Sequence, residues 1–143
     1  MTIEVDRAAD LGFQIGAERL DKLFEEAAIG LTNLAVDIHT VLRKETKKIE
    51  LLGSSPRELL NAWLAEVTFL YDYEHFLSGE FVVEIFHDEE GALRLTATVS
   101  GEPLDEKRHQ LRNRIKSLLV KEDTLIECED GSWKANILVI CYS

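Results

Sequence analysis

The first residues whose type and spacing could do chemistry stand close to the start of the sequence. In "VDRAADLGF", residues 5–13, Asp6 and Asp10 lie four residues apart. In an extended segment the two carboxylates project to one face, roughly 13 Å apart, and a turn would bring them together. Paired carboxylates can hold a hard cation, with water or backbone carbonyls completing the shell. A solvated turn is the plain alternative. A second candidate is "DEKRHQLRNRIK", residues 105–116, which holds five of the sixteen basic residues and also His109. Such a local reversal of charge fits a phosphate or a carboxylate-rich partner surface. The competing reading is a solvated loop neutralised by nearby acids.

Other chemistry finds little support. The histidines, His39, His75, His87 and His109, include none at i, i+4 from another or from a cysteine, so the spacing of a zinc site is missing. The nucleophile elbow G-x-S-x-G, the P-loop and the Gly-rich dinucleotide fingerprint are all absent from the sequence. Trp63, Phe69, Tyr71 and Tyr73 read as core and helix-face aromatics rather than as a base-stacking platform. Without a base-plus-nucleophile arrangement the chain does not read as an enzyme.

Charge narrows the partners. With 16 basic and 27 acidic residues the net charge is −11. That field repels phosphate backbones and anionic lipid surfaces, so tight autonomous nucleic-acid binding and membrane binding are disfavoured. A basic or metal-bearing partner suits it better. No apolar run approaches the ~20 residues of a membrane span, and the N-terminal residues do not resemble a secretory signal, so a cytoplasmic location is expected.

The elements that would position these residues follow from periodicity. An extended segment is expected from about Thr2 to Gly16. Leu20, Leu23, Phe24, Ala27, Ala28, Leu31, Leu34, Ala35 and Ile38 then recur at helical spacing. "TKKIELLG" reads as a strand closed by Gly53. "SSPRELL" supplies a capping box, with Ser55 at N-cap, Pro56 at the first helical position and Glu58 three residues after the cap. The helix behind it presents Leu59, Leu60, Trp63, Leu64, Val67, Leu70 and Tyr71.

After Gly79 the period becomes two: Phe81, Val83 and Ile85 fall on one face, and Leu93, Leu95, Ala97 and Val99 do so across a turn near Glu89–Gly91, as in antiparallel strands with one buried face. A last hairpin, "ECEDGSWKA", is expected to turn at Asp130–Gly131. Cys128 would then face Trp133 and Cys141 would face Val120. That register leaves the two thiols roughly 26 Å apart, too far to bridge. Free thiols fit a reducing compartment. The sum is a single α+β domain over residues 1–143, with two main helices on a largely antiparallel sheet of about six strands.

Four stretches together resemble the archease family. "DRAADLG" is similar to its opening Asp-His-Thr-Ala-Asp motif, and "LDKLFEEAAIGL" to the helix that follows. "WLAEVTFLYD" looks like its Trp-Leu-x-Glu-x-x-Phe-Leu-x-Asp helix. "GEPLDEKRHQLRNRIKS" resembles its Gly-Glu-Pro-x-Asp-x-x-x-His loop leading to Ile-Lys-Ala. The resemblance runs in order over essentially the whole chain. It implies a small α+β accessory protein that is not itself an enzyme. Its role would be to promote guanylylation and turnover of a GTP-dependent, manganese-containing RNA-splicing ligase in tRNA splicing or RNA repair.

By the same resemblance, Asp10, Lys116 and His109 carry function, with Asp6 beside them. Asp10 and Asp6 would hold a divalent cation such as calcium. The resemblance also marks departures. His-Thr of the opening motif is Arg7-Ala8 here, and Thr-Tyr-His after the lysine motif is Leu119, Val120 and Lys121. The acid expected at the end of the last strand is Cys141. A lost carboxylate and an added Arg7, free to pair with either acid, leave the cation weakly bound or absent. These departures support an alternative: a diverged protein-interaction or chaperone-like binding module without a ligase role.

Overall fold

The computed structural model describes residues 10–112, 114–120 and 125–141, with the backbone alone at positions 10, 11, 116, 117, 119 and 141. Strand β1 (Asp10–Ala17) leads directly into helix α1 (Leu20–Ala35). The apolar stripe buries Leu23, Phe24, Ala27, Ala28, Leu31 and Ala35, while Leu20 and Leu34 are partly buried. The helix stops before Ile38, which the periodicity placed on the same stripe. Val36 is fully extended and forms an isolated bridge with Leu111, so tertiary pairing removes the next residue from the helix. Ile38 belongs instead to a 3-10 turn, Ile38–Thr40, opened by Asp37, whose side chain accepts the His39 N–H.

Strand β2 (Glu45–Gly53) ends at the expected glycine, and α2 (Pro56–Asp72) follows. Ser55 caps α2 by accepting the Glu58 N–H at 3.2 Å. The return arm of the capping box is displaced by one residue. Glu58 accepts from the N–H and the hydroxyl of Ser54 rather than from the N–H of Ser55.

Strands β3 (Phe76–His87), β4 (Leu93–Pro103), β5 (Ile115–Val120), β6 (Ile126–Glu127) and β7 (Trp133–Cys141) complete the chain. Every pairing is antiparallel, but the strands divide between two sheets. One has the order β2-β4-β3, and the other the order β1-β7-β5, with β6 also paired to β7. Both helices touch both sheets and close one core around Trp63. Its indole N–H donates to the Phe24 carbonyl at 2.9 Å, and its ring meets Phe81 edge-on at 5.9 Å. Helix side chains also occupy two strand edges. Glu25 accepts the Val83 N–H, and Asn61 accepts the Val120 N–H. Capping edge donors in this way satisfies backbone groups that would otherwise pair with a foreign strand.

The last hairpin differs from its expected register by one residue. Cys128 pairs with Ser132, and Glu127, not Cys128, stands opposite Trp133. The cause is the loop length. Glu129, Asp130 and Gly131 form a three-residue loop in which Gly131 takes φ +88, a left-handed conformation that favours glycine. At the other end of β7, Cys141 faces Ile115 and Val120 faces Ile137. Cys128 is a free thiol. Trp133 is only partly buried, at the edge of the core. No helix among the described residues is long and apolar enough to cross a membrane.

Candidate functional site

Two groups of residues stand out, one at a strand end and one in a loop. Asp10 opens β1 and pairs with Ile140 on β7, whose other neighbour is Ser117 on β5. Between Ile115 and Ser117 the register shifts, because Ile115 faces Cys141 while Ser117 faces Ile140. Lys116 is therefore the extra residue of a bulge, and strict alternation with Ile115 and Ser117 does not hold there. Two strand spacings separate Asp10 from the bulge, roughly 10 Å between backbones. Asp10, Lys116 and Cys141, more than a hundred residues apart along the chain at the extremes, thus meet at one end of one sheet. Asp6, Arg7, Ala8 and Lys121 lie outside the described residues.

In sequence, the last position of β7 is Cys141, whose thiol is a soft donor. A hard cation takes about six to eight oxygen ligands. Among the described residues no three His, Cys, Asp or Glu side chains gather in a metal-holding arrangement.

The second group is the loop that delivers Lys116. Glu102, near the end of β4, is 1% exposed, and His109 is 3% exposed. His109 Nδ1 accepts the Asp105 N–H at 2.9 Å, so the ring proton sits on Nε2, which donates to Glu102 Oε2 at 2.9 Å. Arg108 pairs with the other carboxylate oxygen, and the Leu42 N–H donates to Glu102 at 2.7 Å. Burial alone would raise the Glu102 carboxyl. Hydrogen bonds from Arg108, Leu42 and His109, with the Arg108 charge, outweigh it and hold the group at about 2, against an ordinary 4.5.

The preceding glycine is a steric requirement: a Cβ at Gly101 would collide with the Leu77 carbonyl. Beyond the latch, Arg112 donates to the carbonyls of Ala35 and Asn33, fastening the loop to the end of α1. Arg108 and Arg112 are thus engaged within the fold, with Arg112 3.8 Å from Asp37, as the neutralised-loop reading expected of part of this basic run. His109 is placed inside the loop as its fastener, closed off from solvent. Sequence reasoning passed over Glu102. Its signal was available, as a glutamate between glycine and proline followed seven residues later by a histidine.

Comparison with known proteins gives concordant results. The model of the Archease protein family matches residues 3–139. Protein archease of Methanopyrus kandleri is 32% identical over 136 residues, covering 95% of this chain and 96% of that one. Protein archease of Pyrococcus abyssi is 29% identical over 133 residues, covering 93% of each. Among solved structures, the solution structure of Methanobacterium thermoautotrophicum protein 1598 superposes with a TM-score of 0.73 at 26% identity, covering 95% of each chain.

Proposed function

Given that the chain belongs to the archease family, we propose that it is a non-enzymatic activator of a GTP-dependent RNA-splicing ligase. In this reading it docks beside the ligase's active-site cleft. Asp10 and Lys116 then lie close to the ligase's metal and nucleotide, where a carboxylate and an ammonium can orient phosphates and exchange protons or ligands. The observation that carries the reading is the meeting of Asp10 and the Lys116 bulge beside the last step of β7. A bulge interrupts the ladder locally and leaves one residue unpaired, which is one way a sheet re-aims a single group toward a partner. A cytosolic location is consistent with this reading. Any divalent cation on this chain is weakly held, because Cys141 replaces an oxygen donor.

The test is to add the pure protein to the ligase of the same genome. Guanylylation and turnover should both accelerate, and no change in either would end the reading. The sequence differences at Arg7, Ala8 and Cys141 favour a second reading, a diverged binding module on the same fold. Pull-down from cell extract separates them, since the module would recover a principal partner other than the ligase.

A further inference from the structure

Near the C-terminal end of α2 two large aromatic side chains stand in solvent. Phe69 is 43% and Tyr73 75% exposed, and their rings stack at 5.0 Å with planes 27° apart. They border a surface groove of about 400 Å³ whose other walls are Asn61, Ala65, Thr68, Asp72 and Leu118. Nothing in the core calls for this arrangement, because the buried face of α2 is already filled by Leu59, Leu60, Trp63, Leu64, Val67 and Leu70. Exposed aromatic pairs beside an apolar groove are typical of binding anchors: they give large contact area at low conformational cost.

The position of the groove matters as much as its lining. Asn61 meets Val120 at one end of β5, while Thr68 and Tyr71 share a cavity wall with Ile115 at the other. The turn of α2 that carries Phe69 and Tyr73 therefore lies at the Ile115–Lys116 end, beside the sheet end where Asp10 and Cys141 meet. Charge selects the occupant. Glu66 and Asp72 stand three residues before and after Phe69 on the same helix face. Neither has an ion-pair partner among the described residues. An electron-rich stack flanked by carboxylates attracts a cationic side chain through cation–π contact and through charge, and it repels phosphate.

We infer that the Phe69–Tyr73 stack, with Leu118 and the Asp72 carboxylate, is a docking surface for an arginine- or lysine-bearing segment of a partner protein. The segment's apolar stem lies in the groove and its cation lies over the rings. Docked there, it brings the partner up to the Asp10–Lys116 end. Only the ligase arm of the test below rests on the functional reading above.

Two measurements test this. In the first, affinity for the ligase is measured by calorimetry for the parent, Phe69→Ala, Tyr73→Ala and Asp72→Lys, with circular dichroism confirming that each variant is folded. Each should weaken binding by about tenfold or more, as loss of an interface anchor does, with stimulation restored at saturating protein. Tight binding by the parent that all variants retain would overturn the docking surface and leave the activator reading standing. In the second, backbone amide shifts are followed on adding acetyl-Gly-Arg-Leu-Arg-Gly-amide, its glutamate counterpart, or oligouridine. Shifts at Phe69, Tyr73 and Leu118 with the arginine peptide alone support the surface, whether or not the ligase binds. Shifts with oligouridine instead, or with none of the probes, would overturn it.

Discussion

At the scale of single residues, Glu102 and Cys141 bear the most specific consequences. The Glu102 carboxyl sits at about 2 in the folded chain, below its ordinary 4.5. A group depressed by folding stabilises the native state fully above its unfolded value, and that stabilisation is lost as pH falls through the folded one. The parent should therefore lose on the order of 3 kcal/mol from this group alone between about pH 4.5 and 2. Glu102→Gln removes the titration but leaves Arg108 with a weaker partner. The variant should be less stable at neutral pH, and the gap should close as the pH is lowered. Urea titrations at several pH values compare the two, and a gap that stays constant would show that the latch is not ionised as described. At Cys141 the expectation concerns metal. Calcium affinity of the parent should lie in the millimolar range of under-liganded sites. Cys141→Asp combined with Arg7→His should tighten it, because an oxygen donor is gained and a fixed charge removed. Calorimetry decides the matter, with micromolar binding by the parent or no gain in the double variant as the contrary results.

At the scale of elements, α2 is where local signals and packing agree most closely. Its cap, its proline and its apolar stripe were all readable from residues 54–72, because each acts over four residues or fewer. Trp63 is the member on which both helices depend. It is fully buried, donates to α1 through the Phe24 carbonyl and packs edge-on against Phe81 of β3. Trp63→Ala should cost about 3–5 kcal/mol, in line with other large-to-small changes in cores. A loss below about 1 kcal/mol in urea would mean that the surrounding side chains collapse into the space, contrary to the close packing of an interior. Where elements ended differently from their pattern, the cause was a distant partner in one case and a local loop conformation in the other. Leu111 draws Val36 out of α1, and Gly131 lengthens the last turn by one residue.

For the molecule as a whole, the two sheets and the latch serve to hold the Lys116 bulge beside Asp10 and the end of β7. Lys116 is an unpaired position of the ladder, so Lys116→Ala should leave stability within about 1 kcal/mol of the parent. Stimulation of the ligase should nevertheless fall, measured as turnover at fixed protein concentration. Equal stimulation by variant and parent would remove Lys116 from the site. What the sequence determined by itself was local: the helices, the alternating strands, the α2 cap and most of the buried stripe. These follow from spacings of two to four residues, which chain geometry converts directly into faces. The family resemblance added the names of Asp10, His109 and Lys116 without their arrangement. Only the tertiary structure decided that the strands separate into two sheets, and that Glu102 and His109 form a buried latch. It alone placed Lys116 in a bulge two strands from Asp10, and left Phe69 and Tyr73 uncovered. The division into two sheets and the bulge depend on pairing between residues tens of positions apart, where register is set by packing against both helices. No short spacing in the chain records that choice.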